Sequence, residues 1–127
     1  MTETTVASKP NFPAVLEQLK ALLKSYEPHL AVTVDDAAGY SLDSPKLGPN
    51  KKPMFFGAAV IKKNYVSFHL MPVYVHPELL DGISDTLRKR MQGKSCFNFK
   101  ALDEDTLAEL RQLTERGFEA FLKDGLL

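Results

Sequence analysis

PMFFGAAVIKKNYVSFHLM, residues 53–71, is the stretch whose reading decides the fold. Two apolar runs flank a polar Lys62-Lys63-Asn64 turn, which predicts a β-hairpin. Side chains alternate along a strand, so Val66, Phe68 and Leu70 fall on one face of the second arm. Tyr65, Ser67, His69 and Met71 fall on the other. The first arm is apolar on both faces, the pattern of a strand inside a sheet. Phe55, Gly57, Ala59 and Ile61 share one of those faces, and the two small residues leave room for a close neighbour or a groove.

The segments around the hairpin read as its cover. Toward the N-terminus, Val15, Leu16, Leu19, Leu22, Leu23 and Tyr26 recur at helical spacing behind a capping Asn11 and an early Pro13, and Pro28 ends the run. Residues 30–35 alternate and are β-branched, predicting a strand; Tyr40-Ser41-Leu42 pairs back weakly after a turn. Residues 43–53, with three prolines and a glycine, predict an exposed loop. Beyond the hairpin, Pro72 and Pro77 bracket an irregular crossing. A helix from Pro77 then carries Leu79, Leu80, Ile83, Leu87 and Met91 inward, weakened at Gly82 and ended at Gly93.

Residues 94–100, KSCFNFK, alternate as a short strand returning to the sheet, with Cys96 and Asn98 on the face opposite Phe97 and Phe99. The last helix opens at Leu102-Asp103 with acidic residues in its first turn and buries Leu107, Leu110, Leu113, Phe118, Phe121 and Leu122. This order gives an α+β fold, a mainly antiparallel sheet of about four to five strands covered by an N-terminal, a middle and a C-terminal helix. Residues 1–10 are expected to be a flexible tail and residues 11–127 a single domain.

Sixteen basic and sixteen acidic residues cancel, so net charge gives no global pull toward nucleic acid or anionic lipid. The charge is nonetheless uneven. Residues 46–100 hold ten basic and three acidic side chains, an asymmetry that could guide an acidic ligand or join two copies as a homodimer. No aromatic-basic RNA-recognition motif accompanies it, which argues against nucleic acid as the partner. One cysteine cannot form an internal disulfide. No secretory leader is expected from residues 1–11, and no apolar run approaches the ~20 residues of a bilayer span. A cytoplasmic setting, without membrane attachment, is the expectation.

Taken together, the hairpin, the middle helix and the GKSCFNF strand, residues 93–99, resemble the YdhG-like family, small bacterial domains of unknown function. The resemblance runs from about Phe12 to Phe121. It rests on Lys52-Pro53 at the hairpin start, Phe68-His69-Leu70 before a proline, Gly93-Lys94-Ser95 followed by Phe97-x-Phe99, and the acidic Leu102-Asp103 helix start. It implies the same α+β fold. Some members carry a frataxin-like or iron-chaperone label, so iron handling is what the resemblance could at most imply. The family's tyrosine-methionine-proline segment is replaced here by VDDAAGYSLDSP, and no functional residue carries over.

Strand parity suggests the candidate site. Tyr65, Ser67 and His69 share a face, as do Cys96 and Asn98; if the two strands are neighbours, the five converge, and Tyr74 adds an aromatic wall for a small ring-bearing or acidic molecule. Cysteine, histidine and asparagine are also the residue types of a thiol nucleophile, its base and its orienter. Against that, a lone cysteine among phenylalanines packs as a small apolar residue, and no oxyanion hole is marked. No HxxxH, CxxC or HExxH spacing appears, so neither metal nor cofactor is expected. Asp103, Glu104, Asp105 and Glu109, or Asp35 and Asp36, could offer oxygens to a hard cation, but capping and turn formation explain them more simply. The expected function is a non-catalytic module binding a small molecule or a protein. An iron-binding chaperone and a Cys/His thiol-dependent hydrolase are the alternatives.

Overall fold

The computed structural model describes residues 11–47 and 53–125. The tail expected over residues 1–10 lies outside them. Helix α1 (Phe12–Lys24) begins where expected: the Asn11 side chain accepts from the Ala14 amide, Pro13 sits in the first turn, and Val15, Leu16, Leu19, Leu22 and Leu23 are buried. Such a cap is worth about 1 kcal/mol. A single 3₁₀ turn over Glu27–His29, with Pro28 inside it, leads to β1 (Ala31–Asp36). Strands β2 (Gly39–Leu47), β3 (Pro53–Ile61), β4 (Val66–Leu70) and β5 (Cys96–Phe99) complete a five-stranded antiparallel sheet in chain order. The α+β fold is as expected.

Several elements differ in extent. The weak return at Tyr40 is a nine-residue inner strand, because Tyr40 and Leu42 both insert fully into the core. It runs into the segment read as a loop; Pro45 lies where the β2–β3 register breaks between Asp43 and Leu47, as a residue without an N–H must. Strand β1, by contrast, is exposed along its whole length. The crossing after Pro72 forms a turn of helix, α2 (Met71–Val75). The middle helix is broken: a 3₁₀ turn over Pro77–Leu80 is followed by Gly82 at φ 86°, and helix resumes as α3 (Asp85–Arg88) under a Ser84 cap. Gly82's left-handed backbone is what interrupts it. Ile83 and Leu87 are still buried.

The long α4 (Glu104–Lys123) buries Leu110, Leu113 and Phe121, with Leu107 and Phe118 partly covered. Leu122, expected inward, is 54% exposed, because the stripe turns past it. Among the described residues no helix is long and apolar enough to cross a membrane.

A bulge in β3 controls which faces its aromatic residues reach. Leu42 pairs with Gly57 while Asp43 pairs with Phe55, so β3 carries one extra residue there and its alternation inverts. Phe56 therefore enters the core among Tyr26, Phe118 and Phe121, and Phe55 turns to the opposite face. Expecting Phe55 beside Gly57 and Ala59 assumed unbroken alternation. The core thus lies between the helices and the sheet face of Tyr40, Leu42, Phe68 and Phe97. The other face remains open.

Candidate functional site

Strands β4 and β5 pair in the register that parity required. Ser67 stands opposite Asn98, and His69 opposite Cys96. With Tyr65 these residues line a shallow groove of about 300 Å³ on the open sheet face, and none of its lining residues comes from a helix. Cross-strand neighbours in β3 supply the floor: Ala58 opposes His69 and Val60 opposes Ser67. Lys62 at the hairpin turn and Gln92 complete the rim.

The sixth expected residue stands apart. Tyr74 lies on α2, 54% exposed, with the Lys94 ammonium 6.0 Å from its ring centre. Helix formation after Leu70 carries it away from the face that His69 occupies.

His69 and Cys96 each have a defined partner on or beside the face. His69 Nε2 lies 2.7 Å from Ser95 Oγ, and the Phe55 ring meets the imidazole edge-on at 4.9 Å between centres. Ser95 is buried, and its carbonyl also accepts from the Leu70 amide. Burial lowers the pKa of His69, disfavouring the charged ring. Burial likewise pushes the Cys96 thiol up, against smaller opposing pulls from a Ser67 hydrogen bond and the charge of Lys62. The histidine and cysteine thus face each other as neutral groups, the reverse of the ion pair that activates a thiol.

Sequence reasoning overlooked several contributors. Ala58 and Val60 follow from pairing β3 to β4 and could have been found by parity; Phe55 could not, since the bulge reverses it. Gln92 reaches the face because residues 90–92 run beside β5: Met91 bridges Phe97, the Gln92 amide donates to Cys96 O, and the Asn98 amide donates to Arg90 O. Nothing in the local sequence marks that extra pairing.

Four of the six carboxylates weighed for a cation are engaged in local structure. Asp103 caps α4 through the Thr106 amide at 2.7 Å, which holds its carboxyl below the usual range. Glu109 accepts from both the amide and the hydroxyl of Ser84, each at 2.6 Å. Asp35 pairs with Lys20, and Asp36 accepts from the Ala38 and Gly39 amides. Among the described residues no cluster of three or more His, Cys, Asp or Glu side chains could hold a metal ion.

A second concavity, about 340 Å³, lies where residues 76–79 meet the end of α4. There His76 Nε2 contacts Asp124 Oδ2 at 2.7 Å, and Nδ1 lies 3.3 Å from Glu78. Both ring nitrogens are thereby engaged with carboxylates of the protein itself. No family model, curated protein or solved structure matches this chain.

Proposed function

We propose that this protein is a small cytoplasmic binding module that takes up a small molecule on the open sheet face and carries out no chemistry on it. The observation behind the reading is the convergence of Tyr65, Ser67, His69, Cys96 and Asn98 on one groove over an apolar Ala58–Val60 floor. Apolar floors with a few placed polar groups are the usual composition of ligand sites. Binding suits the groove better than thiol hydrolysis does: burial favours the neutral thiol and imidazole, and the imidazole's short hydrogen bond goes to Ser95. It also suits the chain better than iron handling, since the carboxylates Asp103, Glu109, Asp35 and Asp36 already cap helices, pair with Lys20 or close turns. Kinship with the YdhG-like family belongs to the same proposal and leaves it unchanged.

A thermal-shift screen against a small-molecule library tests this reading. A ligand that binds only the folded state stabilises it, by about 2.7 kcal/mol at a hundredfold excess over Kd. Hits on the wild type should vanish in Ser67→Tyr, whose ring fills the groove, and persist in Tyr74→Ala. Hits indifferent to Ser67→Tyr would remove the groove from the function.

A further inference from the structure

Resting on the reading of the open face as a binding site, we infer that its ligand is a small organic monoanion, a carboxylate borne on an apolar body, with the charged end at Lys62. The groove measures about 300 Å³, at the small end for ligand sites, so a metabolite fits it better than a peptide. Among the described residues Lys62 is the one formally charged residue on the rim, it forms no ion pair, and no carboxylate lines the groove. Ser67, Asn98 and Gln92 add neutral hydrogen-bonding groups.

The Arg90 backbone runs beside the groove, its carbonyl accepting from the Asn98 amide. The opposite end of the face is different. There Asp43 pairs with Phe55, and burial raises its carboxyl pKa. Among the described residues the face thus carries a cation at the hairpin turn and a partly buried carboxyl near the bulge, with Ala58 and Val60 between. An anion with its charge at Lys62 and its apolar body over Ala58 and Val60 matches the groove, and a cation placed at Lys62 would be repelled. Carboxylate fits better than phosphate, because one rim lysine matches a single charge and, among the described residues, neither a helix N-terminus nor a glycine lines the groove to supply backbone amides.

Matched probes test the inference: benzoate against benzamide, and cinnamate against cinnamamide, titrated into the ¹⁵N-labelled full-length chain. The amide signals of Ala58, Ser67 and Asn98 should shift and saturate with both acids, and the neutral amides should bind about tenfold more weakly, the loss of one charge-assisted hydrogen bond. Lys62 is exposed at a turn, so Lys62→Met keeps the fold. That variant should bring acid affinity down to that of the amide while leaving the amide unchanged. Equal binding of acid and amide in the groove overturns the anion inference and leaves the site standing. Shifts confined to other surfaces, or no response to any probe, overturn both.

Discussion

His69 and Cys96 are direct cross-strand partners, yet the imidazole hydrogen-bonds to Ser95 and the sulfur interacts with Ser67. Proximity has not coupled them into an acid–base pair. A thiol flanked by a neutral ring in a half-buried setting should behave as a poor nucleophile near neutrality.

Alkylation of Cys96 by iodoacetamide is accordingly expected to be slow at neutral pH and to accelerate only as pH approaches and passes the ordinary thiol value of 9.0. His69→Ala should leave the profile nearly unchanged, while Lys62→Met, which removes the nearby cation, should move it further upward. Fast, pH-independent alkylation at neutrality that disappears in His69→Ala would establish a thiolate and revive the hydrolase reading.

His76 gives a pH dependence of definite sign. Its hydrogen bond to Asp124 raises its pKa above the ordinary 6.5; desolvation, the next largest effect, opposes this, and the charge of Asp124 with the hydrogen bond and charge of Glu78 adds to the rise. Arg116, Glu119 and Lys123 line the same concavity. A raised folded-state pKa means the stabilisation is fully present below 6.5 and is lost as pH rises through the folded value. Urea midpoints of the wild type and Asp124→Asn should therefore differ most below pH 6.5 and converge as pH rises through the folded-state value. The effect should be modest, since the pair is partly exposed and salt-screened. A gap that stays constant across that window would mean the contact carries no proton linkage.

Alternation was readable wherever strands are regular, which is why the Ser67–Asn98 and His69–Cys96 pairs could be placed from sequence. It gave out where backbone irregularity intervenes. Nothing in MFFG signals a bulge, since Phe55 and Phe56 are chemically alike and either could face the core. Proline misled in the opposite direction: Pro45 suggested loop, yet it sits in β2, whose Tyr40 and Leu42 are held by burial. Tyr74 was misplaced for a related reason, since Pro72 was read as breaking structure, whereas it starts a helical turn. Ser95 and Gln92 depend on pairings between segments, which a local pattern does not encode.

Gly117 of α4 packs against Pro72 of α2. A Cβ there would lie 2.9 Å from Pro72 Cβ and 3.2 Å from its Cγ, and a proline ring has little freedom to yield. Gly117→Ala gains about 1 kcal/mol of helix propensity but incurs overpacking of about 1–3 kcal/mol. A net loss of about 1 kcal/mol, seen as a lower urea midpoint with unchanged slope, is expected. Pro72→Ala should relieve it in a double-mutant cycle. A higher midpoint in Gly117→Ala would show that the two helices are free to separate.

The β3 bulge makes the sharpest contrast, because it gives two adjacent phenylalanines opposite roles. Phe56 is fully buried, with ring centres 5.7 Å from Phe121, 6.1 Å from Tyr26 and 6.2 Å from Phe118. Removing it leaves a cavity at the meeting point of α1, β3 and α4, so Phe56→Ala should cost about 3–5 kcal/mol by urea denaturation. Phe55 is half-buried and touches the His69 ring, so Phe55→Ala should cost only about 1 kcal/mol, the scale of one aromatic pair, and should shift the His69 imidazole signals. An unbulged β3 reverses both outcomes: Phe55 becomes the core residue, and the signals of His69 respond to Phe56 instead. The same reversal would strip the acidic end of the open face of its ring pair, so this comparison also tests the frame on which the groove is built.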